Sequence, residues 1–481
     1  MSFLSINYFI FLTFTLIFYY FLNNKYQKYF ILFCSIYFYS KFVTKDIFLI
    51  VLYLILVSYL LGIILNKDKN KNYLIIGVIA ILSPLILSKY FLDFFNMKKL
   101  MTIGLSFYTF EAISYIVDVY KEKINYKNNF VDILVYLLFF PTVLQGPIVK
   151  SRDFLPQFDK KRQYNYELVN SGLLRIIFGI FQKVLISNFL STIINPVLSN
   201  VGNYSGIQIL FVMLLYSIQI YSDFAGYSNI AIGTANCLGF HILENFKRPY
   251  FSKSISEFWK RWHISLYEWF KEYIFIPLGG SRVGRIKLYR NILIIFTISG
   301  IWHGSTLNFI IWGLLNGVYQ IIEDTFKLRD SLKNKIIKFK LVKFLVDIIN
   351  ILKVYFLITI SWIFFRIESF EISVIAIKKI FSLNGFGNFK FGIKEGFEKT
   401  ILPIIDGKQL YFFKDWEFIS IILGILFIHS LANELEMSKK VLNKIPIIFK
   451  YLFLSTFILF ILYFGNYGPL VVDTNFIYFE F

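Results

Sequence analysis

Four histidines occur in this 481-residue chain, and His303 sits where an imidazole is costly to keep. It lies in "SGIWHGSTL" (299–307), within "NILIIFTISGIWHGSTLNFIIWGLL" (291–315), a run free of Asp, Glu, Lys and Arg. Ionisable groups in such runs are rare and tend to mark pathways or reaction centres. Burial favours the neutral ring, the form that accepts a proton, so His303 has the chemistry of a general base. On a single helix over 291–322, Ser299, Gly300, Gly304 and Thr306 share its side, with Leu307 the bulky exception. Small residues there would leave room for a narrow cavity beside the ring.

A second Trp-His pair lies in "SISEFWKRWHISLYEWFKEY" (254–273). Helical spacing puts Phe258, Trp259, Trp262, Leu266, Trp269, Phe270 and Tyr273 on one face and Lys260, Arg261, Glu268, Lys271 and Glu272 on the other. A two-faced helix with three Trp on its apolar side belongs at a membrane interface. His263 falls at the edge of that face, turned to protein interior or to headgroups. Pro277 and the glycines of "IPLGGSRVG" (276–284) should end the helix. Arg282, Arg285, Lys287 and Arg290 then form a basic edge suited to a phosphorylated cytoplasmic ligand or to lipid headgroups, and the residues leave both open. His241 reads as a solvated loop residue and His429 as a helix–helix hydrogen bonder near a span end.

The elements that must hold these groups are membrane helices. The chain is 57% hydrophobic and only 17% charged, outside the range of soluble domains. Apolar runs recur at 3–22, 29–40, 47–65, 73–91, 133–149, 176–195, 207–221, 291–322, 344–365, 418–432 and 447–464. Most approach the roughly 20 residues that cross a hydrocarbon core. The reading is an all-α polytopic integral membrane protein with about eleven transmembrane helices, a single domain over 1–481 with its functional core at 101–317. The first run lacks a basic n-region and a cleavage site, and basic residues follow it, which places the N-terminus outside the cytoplasmic membrane. Cytoplasmic loops facing anionic lipid account for the +20 net charge, and a nucleic-acid role is excluded. Cys34 and Cys237 are too few for a disulfide framework. No internal repeat is visible, which counts against a secondary transporter.

Several segments together resemble the membrane-bound O-acyltransferase family, in its bacterial alginate O-acetyltransferase branch. They are "GLSFYTFEAISYIVDVY" (104–120), "FPTVLQGPIVK" (140–150), "YSDFAGYSNIAIG" (221–233), "RPYFSKSISEFWKRWHISLYEWFKEYIFIPLGG" (248–280), "RNILIIFTISGIWHGSTLNFIIWGLLNG" (290–317) and the terminal "FIYFEF" (476–481). The resemblance implies a many-helix fold around a central tunnel, with His303 as the active-site histidine and His263 as a second functional one. The candidate substrate-binding residues are Trp262, Trp302, Asn316, Asp223 and Arg282. The resemblance also implies an acyl-thioester donor, acetyl-CoA in this branch, as co-substrate, with no bound cofactor and no metal. The implied partners are membrane lipids, an extracytoplasmic polysaccharide acceptor and an SGNH-type transferase. The Phe-x-Tyr-x-x-Phe terminus of relatives presents its Tyr as an acyl carrier, here Tyr478. The match departs at Asn316, where relatives carry His, and at Asn229, where they carry Asp. Asn hydrogen-bonds but does not titrate.

Overall fold

The computed structural model describes residues 3–41, 45–91, 104–124, 129–160, 162–330, 340–382, 404–405, 408–409, 423–430 and 446–465. Apart from a two-residue antiparallel pair, Ile404–Ile405 with Lys408–Gln409, the regular structure is helical. The described residues form two compact units.

Unit 1 holds residues 1–180, 227–245 and 263–279. Its helices are α1 (Ile6–Phe21), α2 (Asn24–Ser40), α3 (Lys45–Lys67), α4 (Lys71–Ile86), α5 (Leu105–Tyr120), α6 (Phe130–Leu138), α7 (Ser151–Phe154) and α8 (Tyr166–Ile180). Phe3, Tyr8, Phe38 and Phe140 pack ring on ring at its centre. The apolar run 133–149, expected to span, instead leaves the helix after Leu138. Pro141 lacks an N–H and Pro147 restricts the residue before it, so the segment cannot stay helical. Its buried backbone must then be satisfied by side chains, as irregular backbone inside an apolar environment demands. Ser35 Oγ accepts from Phe140 N (3.2 Å) and Ser265 Oγ from Ile148 N (3.0 Å). Glu111 Oε1 accepts from Val149 N (3.1 Å), and Tyr136 donates its hydroxyl to Val149 O (2.7 Å).

Unit 2 holds residues 181–226, 246–262 and 280–481. It contains α9 (Asn188–Leu198), residues 206–226 of α10 (Gly206–Cys237), and α11 (Ile255–Arg261), whereas α12 (Ile264–Phe270) belongs to unit 1. It continues with α13 (Arg285–His303), α14 (Leu307–Asp330), α15 (Lys340–Arg366) and α16 (Phe370–Phe381). Trp262, Trp312 and Trp362, each no more than 2% exposed, form its centre.

Among the described residues five helical stretches are long and apolar enough to cross a membrane: Ile47–Lys67, Lys71–Tyr90, Tyr166–Leu198, Gly206–Cys237 and Leu341–Arg366. The protein is a multi-pass membrane protein. The run 291–322 is a helical hairpin rather than one helix, because α13 ends at His303 and Gly304 continues in extended backbone (φ −168°). His303 therefore stands at a helix terminus instead of mid-helix, and the single-helix phase does not carry through to Thr306 and Leu307. The small residues act in packing the hairpin. A Cβ on Gly300 would run into the carbonyl of Phe309, and one on Gly313 into the carbonyl of Phe296.

Candidate active site

In unit 2, α13 delivers His303 into a box of aromatic rings, and the side chain is 5% exposed. Trp302 stands edge-on to the imidazole at 4.6 Å between centroids, Trp312 at 5.0 Å and 89°, and Phe365 at 5.0 Å and 75°. Phe309 lies parallel at 6.5 Å. Trp312 stacks on Trp362 (5.8 Å), which meets Trp262 (5.2 Å), which stacks on Phe258 (5.5 Å). Edge-to-face and offset contacts of this kind are the favoured aromatic geometries and hold a ring in one orientation.

The box is fixed from two sides. Asn308, near the start of α14, donates from Nδ2 to Ile367 O (2.5 Å) and Ser373 Oγ (3.0 Å), tying the end of α15 and its Phe365 in place. The N-terminus of α11 is held by Ser254 Oγ, which accepts from Glu257 N, and by Glu323, whose carboxylate accepts from Ile255 N and Ser256 N (3.1 Å each). A carboxylate on the first free N–H groups of a helix is favoured by both hydrogen bonding and the helix dipole.

Trp312 Nε1, a donor in the box, and Asn316 Oδ1, an acceptor one turn beyond it, are among the buried atoms with no hydrogen-bond partner among the described residues. Asn316 sits one turn after Trp312 and donates its Nδ2 to the Trp312 carbonyl (2.8 Å). Unsatisfied buried polar atoms are uncommon and call for an explanation. Trp312→Phe removes the N–H and keeps the ring stack. It deletes a buried donor without a partner among the described residues and should leave melting in detergent unchanged or raised; a clearly lower midpoint would show that the N–H is bonded in the folded protein.

Unit 1 holds the second histidine. The sequence pattern suggests one interfacial helix over 254–273, but the chain breaks between α11 and α12, and His263 takes a left-handed backbone (φ 45°) to start α12. Left-handed backbone is uncommon for a non-glycine residue and persists where surrounding bonds over-determine it. Here the backbone carbonyl of Asn245 accepts from Ile264 N (2.9 Å). The Asn245 side-chain oxygen lies 3.1 Å from His263 Nδ1 and accepts from Ser265 Oγ (2.9 Å) and Ser265 N (3.3 Å). Its Nδ2 donates to Ser228 Oγ (3.1 Å). Because the Ser265 backbone N–H can only donate, the facing Asn245 atom is oxygen, and His263 Nδ1 therefore carries the hydrogen. Nε2 is left with the lone pair. Burial pulls the imidazole down to about 3, so it is neutral at physiological pH.

Elsewhere in unit 1, Glu272 gathers three cations. Lys123 (2.5 Å), Lys150 (2.7 Å) and Arg152, bidentate at 2.5 and 2.6 Å, all donate to it. Burial alone would raise this carboxyl, but the hydrogen bonds from Arg152, Lys123 and Lys150 outweigh it and hold it well below the ordinary carboxylate range. A depressed carboxyl contributes stability that is present above its unfolded value of 4.5 and is lost as pH falls through the lower folded value. Glu272→Gln should cost on the order of 2 kcal/mol at neutral pH. It should also flatten the acid limb below about pH 4.5, read from melting in detergent; equal midpoints at neutral pH would remove the cluster from the stability of unit 1.

The other sequence-stated residues fall in several places. Trp302 and Trp262 belong to the aromatic framework of unit 2, and Asn316 lies one turn beyond the box-forming Trp312. Asp223 is buried in an ion pair with Lys183 (2.5 Å). Arg282 is exposed in the turn between Gly280 and Gly284. Tyr478 lies outside the described residues. His241 is exposed, with its backbone bonded to Gln157, and His429 lies on the helical stretch 423–430. At the Asn229 departure, the side-chain oxygen accepts from Arg175 Nε (3.0 Å), and the same guanidinium pairs with Glu244. Sequence reasoning passed over Asn245, Trp312 and Lys183. Only Lys183 left a signal, as a lone charge in the apolar run 176–195.

The structure thus presents a multi-pass helical membrane protein with an imidazole buried among aromatic rings. The model of the membrane-bound O-acyltransferase family matches residues 118–370, and the chain belongs to that family. It is 34% identical over 310 residues to the "Probable alginate O-acetylase AlgI" of Pseudomonas syringae pv. tomato, an alignment covering 64% of this chain and 57% of that protein. This chain thus spans little more than half the length of that relative. It is 31% identical to the peptidoglycan O-acetyltransferase of Helicobacter pylori, across 76% of this chain and 75% of that one. It is 29% identical to the teichoic acid D-alanyltransferase of Bacillus subtilis, across 53% and 68%.

Proposed function

We propose that this protein moves an acetyl group from a cytoplasmic thioester, acetyl-CoA, toward a hydroxyl of an extracytoplasmic polysaccharide. The observation that carries the reading is His303, a buried ring oriented by Trp302, Trp312 and Phe365 in a chain of acyltransferase kinship. His303 takes the proton of the accepting hydroxyl as its oxygen attacks the thioester carbonyl. The C–S bond then breaks, an ester forms, and the imidazolium returns the proton to the thiolate, so no net proton is consumed. The Trp312 N–H is offered to the carbonyl oxygen as negative charge develops there. Aromatic walls keep water from the thioester.

In this reading Tyr478 is the first acceptor, and an SGNH-type partner outside the bacterial cytoplasmic membrane completes transfer to the glycan. The N-terminus faces outward. His263, held neutral with Nε2 free of its hydrogen, belongs to the donor or acceptor route and not to charge pairing.

Kinship to a D-alanyltransferase keeps one alternative in view. Mild base releases acetate from one product and D-alanine from the other. Envelope polymer from cells with and without the protein settles which group depends on it, and a difference in D-alanine alone would overturn the acetyl assignment.

A further inference from the structure

A cavity of about 360 Å³ lies in unit 1 where α5 ends and α6 and α7 begin, a volume within the roughly 300–1,000 Å³ of small-molecule sites. Its wall carries both signs, Lys28, Lys123 and Arg152 against Glu122, Asp132 and Asp159. Pairing holds much of this charge in place. Lys28 pairs with Asp132, and Lys123 and Arg152 both donate to Glu272 (2.5 Å each). Ser151, the first residue of α7, also lines the cavity. It is fully buried, and its Oγ has no hydrogen-bond partner among the described residues. A buried hydroxyl left unbonded is costly, and the cavity beside it has room for a partner. Ile133, Leu155 and Phe158 add apolar surface to the wall.

The depth of the cavity follows from its neighbours. Residues 68–70 join Ile47–Lys67 to Lys71–Tyr90, two stretches long and apolar enough to cross a membrane. A turn between two crossings lies at a membrane surface. Lys69 of that turn pairs with Glu122 of the wall, which sets the cavity at the level of lipid headgroups.

We propose that the cavity binds the headgroup of a zwitterionic phospholipid, one that carries a phosphate and a primary ammonium. The phosphate oxygens accept from Ser151 Oγ and from the basic side of the wall, and the ammonium donates to Asp159 and Glu122. The apolar side takes the start of the glycerol backbone. Charge balance selects this class. A polyanion such as a nucleotide meets three carboxylates, a simple cation meets three basic groups, and an apolar chain leaves Ser151 unbonded. A choline headgroup has no N–H to give the acids.

This site stands apart from the acyl-transfer reading, and its test needs no activity. Delipidated full-length protein in mild detergent should melt at least about 3 °C higher with phosphatidylethanolamine than with equal amounts of phosphatidylglycerol or phosphatidylcholine. Native mass spectrometry of an equal mixture should show the ethanolamine lipid retained about tenfold over either competitor. Ser151→Ala removes the unbonded hydroxyl and Asp159→Asn one exposed acid, and each should lower that retention about tenfold. Retention is counted per folded protein, so a destabilised variant still reports. Equal shifts from all three lipids, or the largest from phosphatidylglycerol, overturn the proposal. Parental retention in both variants places the lipid elsewhere on the protein and overturns it too. Release of the retained lipid by added acetyl-CoA would give the cavity to a nucleotide instead.

Discussion

Replacing His303 by Gln should reduce base-labile acetate on the envelope polymer to the level of cells lacking the protein, a loss of about a thousandfold in transfer rate. Gln is chosen over Ala because the imidazole fills a box of four rings, and a void there would cost packing as well as chemistry. Gln still offers an oxygen and an amide to the same surroundings, but it accepts no proton at neutral pH. Melting in detergent separates the two effects: the variant should remain folded within a few degrees of the parent. Thioester binding should also persist, because the lost step is proton removal from the acceptor and not docking of the donor. Acetate on the polymer at parental levels from a folded His303→Gln protein would remove the base role. The same residue then becomes an aromatic-box filler, and the chemistry must be sought at His263.

The burial of His303 was legible because a single imidazole interrupts a charge-free apolar run. Its position at the end of α13 was not. Apolar periodicity continues through Gly304 into α14, so nothing local reports that the chain turns there. The run 133–149 misled in the same way, since its composition is that of a span while Pro141 and Pro147 deny it a helix. What holds that irregular segment, Ser35, Glu111 and Ser265, comes from positions up to 117 residues away, beyond the reach of any local pattern. Asn245 was invisible for the same reason. An asparagine in a loop carries no sign that it will fix a tautomer 18 residues on. The amphipathic pattern over 254–273 did foretell which side chains are buried, with Phe258, Trp259, Leu266, Trp269 and Phe270 all inside. It missed the break at His263, because a left-handed residue interrupts the helix without changing hydropathy. Asp223 was named without its partner, and Lys183 shows that a lone charge in a spanning run deserves the weight given to a lone histidine.

The terminal tyrosine gives the sharpest remaining test. If Tyr478 carries the acyl group, Tyr478→Phe deletes one oxygen and should lower transfer to the polymer by at least roughly 10,000-fold, since removing a covalent nucleophile leaves no route for the second half-reaction. A phenol, with pKa about 10, is a poor nucleophile until a base takes its proton, and its ester is then more reactive than that of an alkyl alcohol. The relay therefore needs His303 in the first step only. Two variants and one mass measurement follow from this order. Parent protein purified without its extracytoplasmic partner and supplied with acetyl-CoA should accumulate acetyl-Tyr478 on the C-terminal peptide. His303→Gln should never form it, and Tyr478→Phe should still consume thioester only at the slow rate of hydrolysis. Parental polymer acetylation by Tyr478→Phe would show that the glycan hydroxyl, or one on the partner, meets the thioester directly, with the proton still passing to His303.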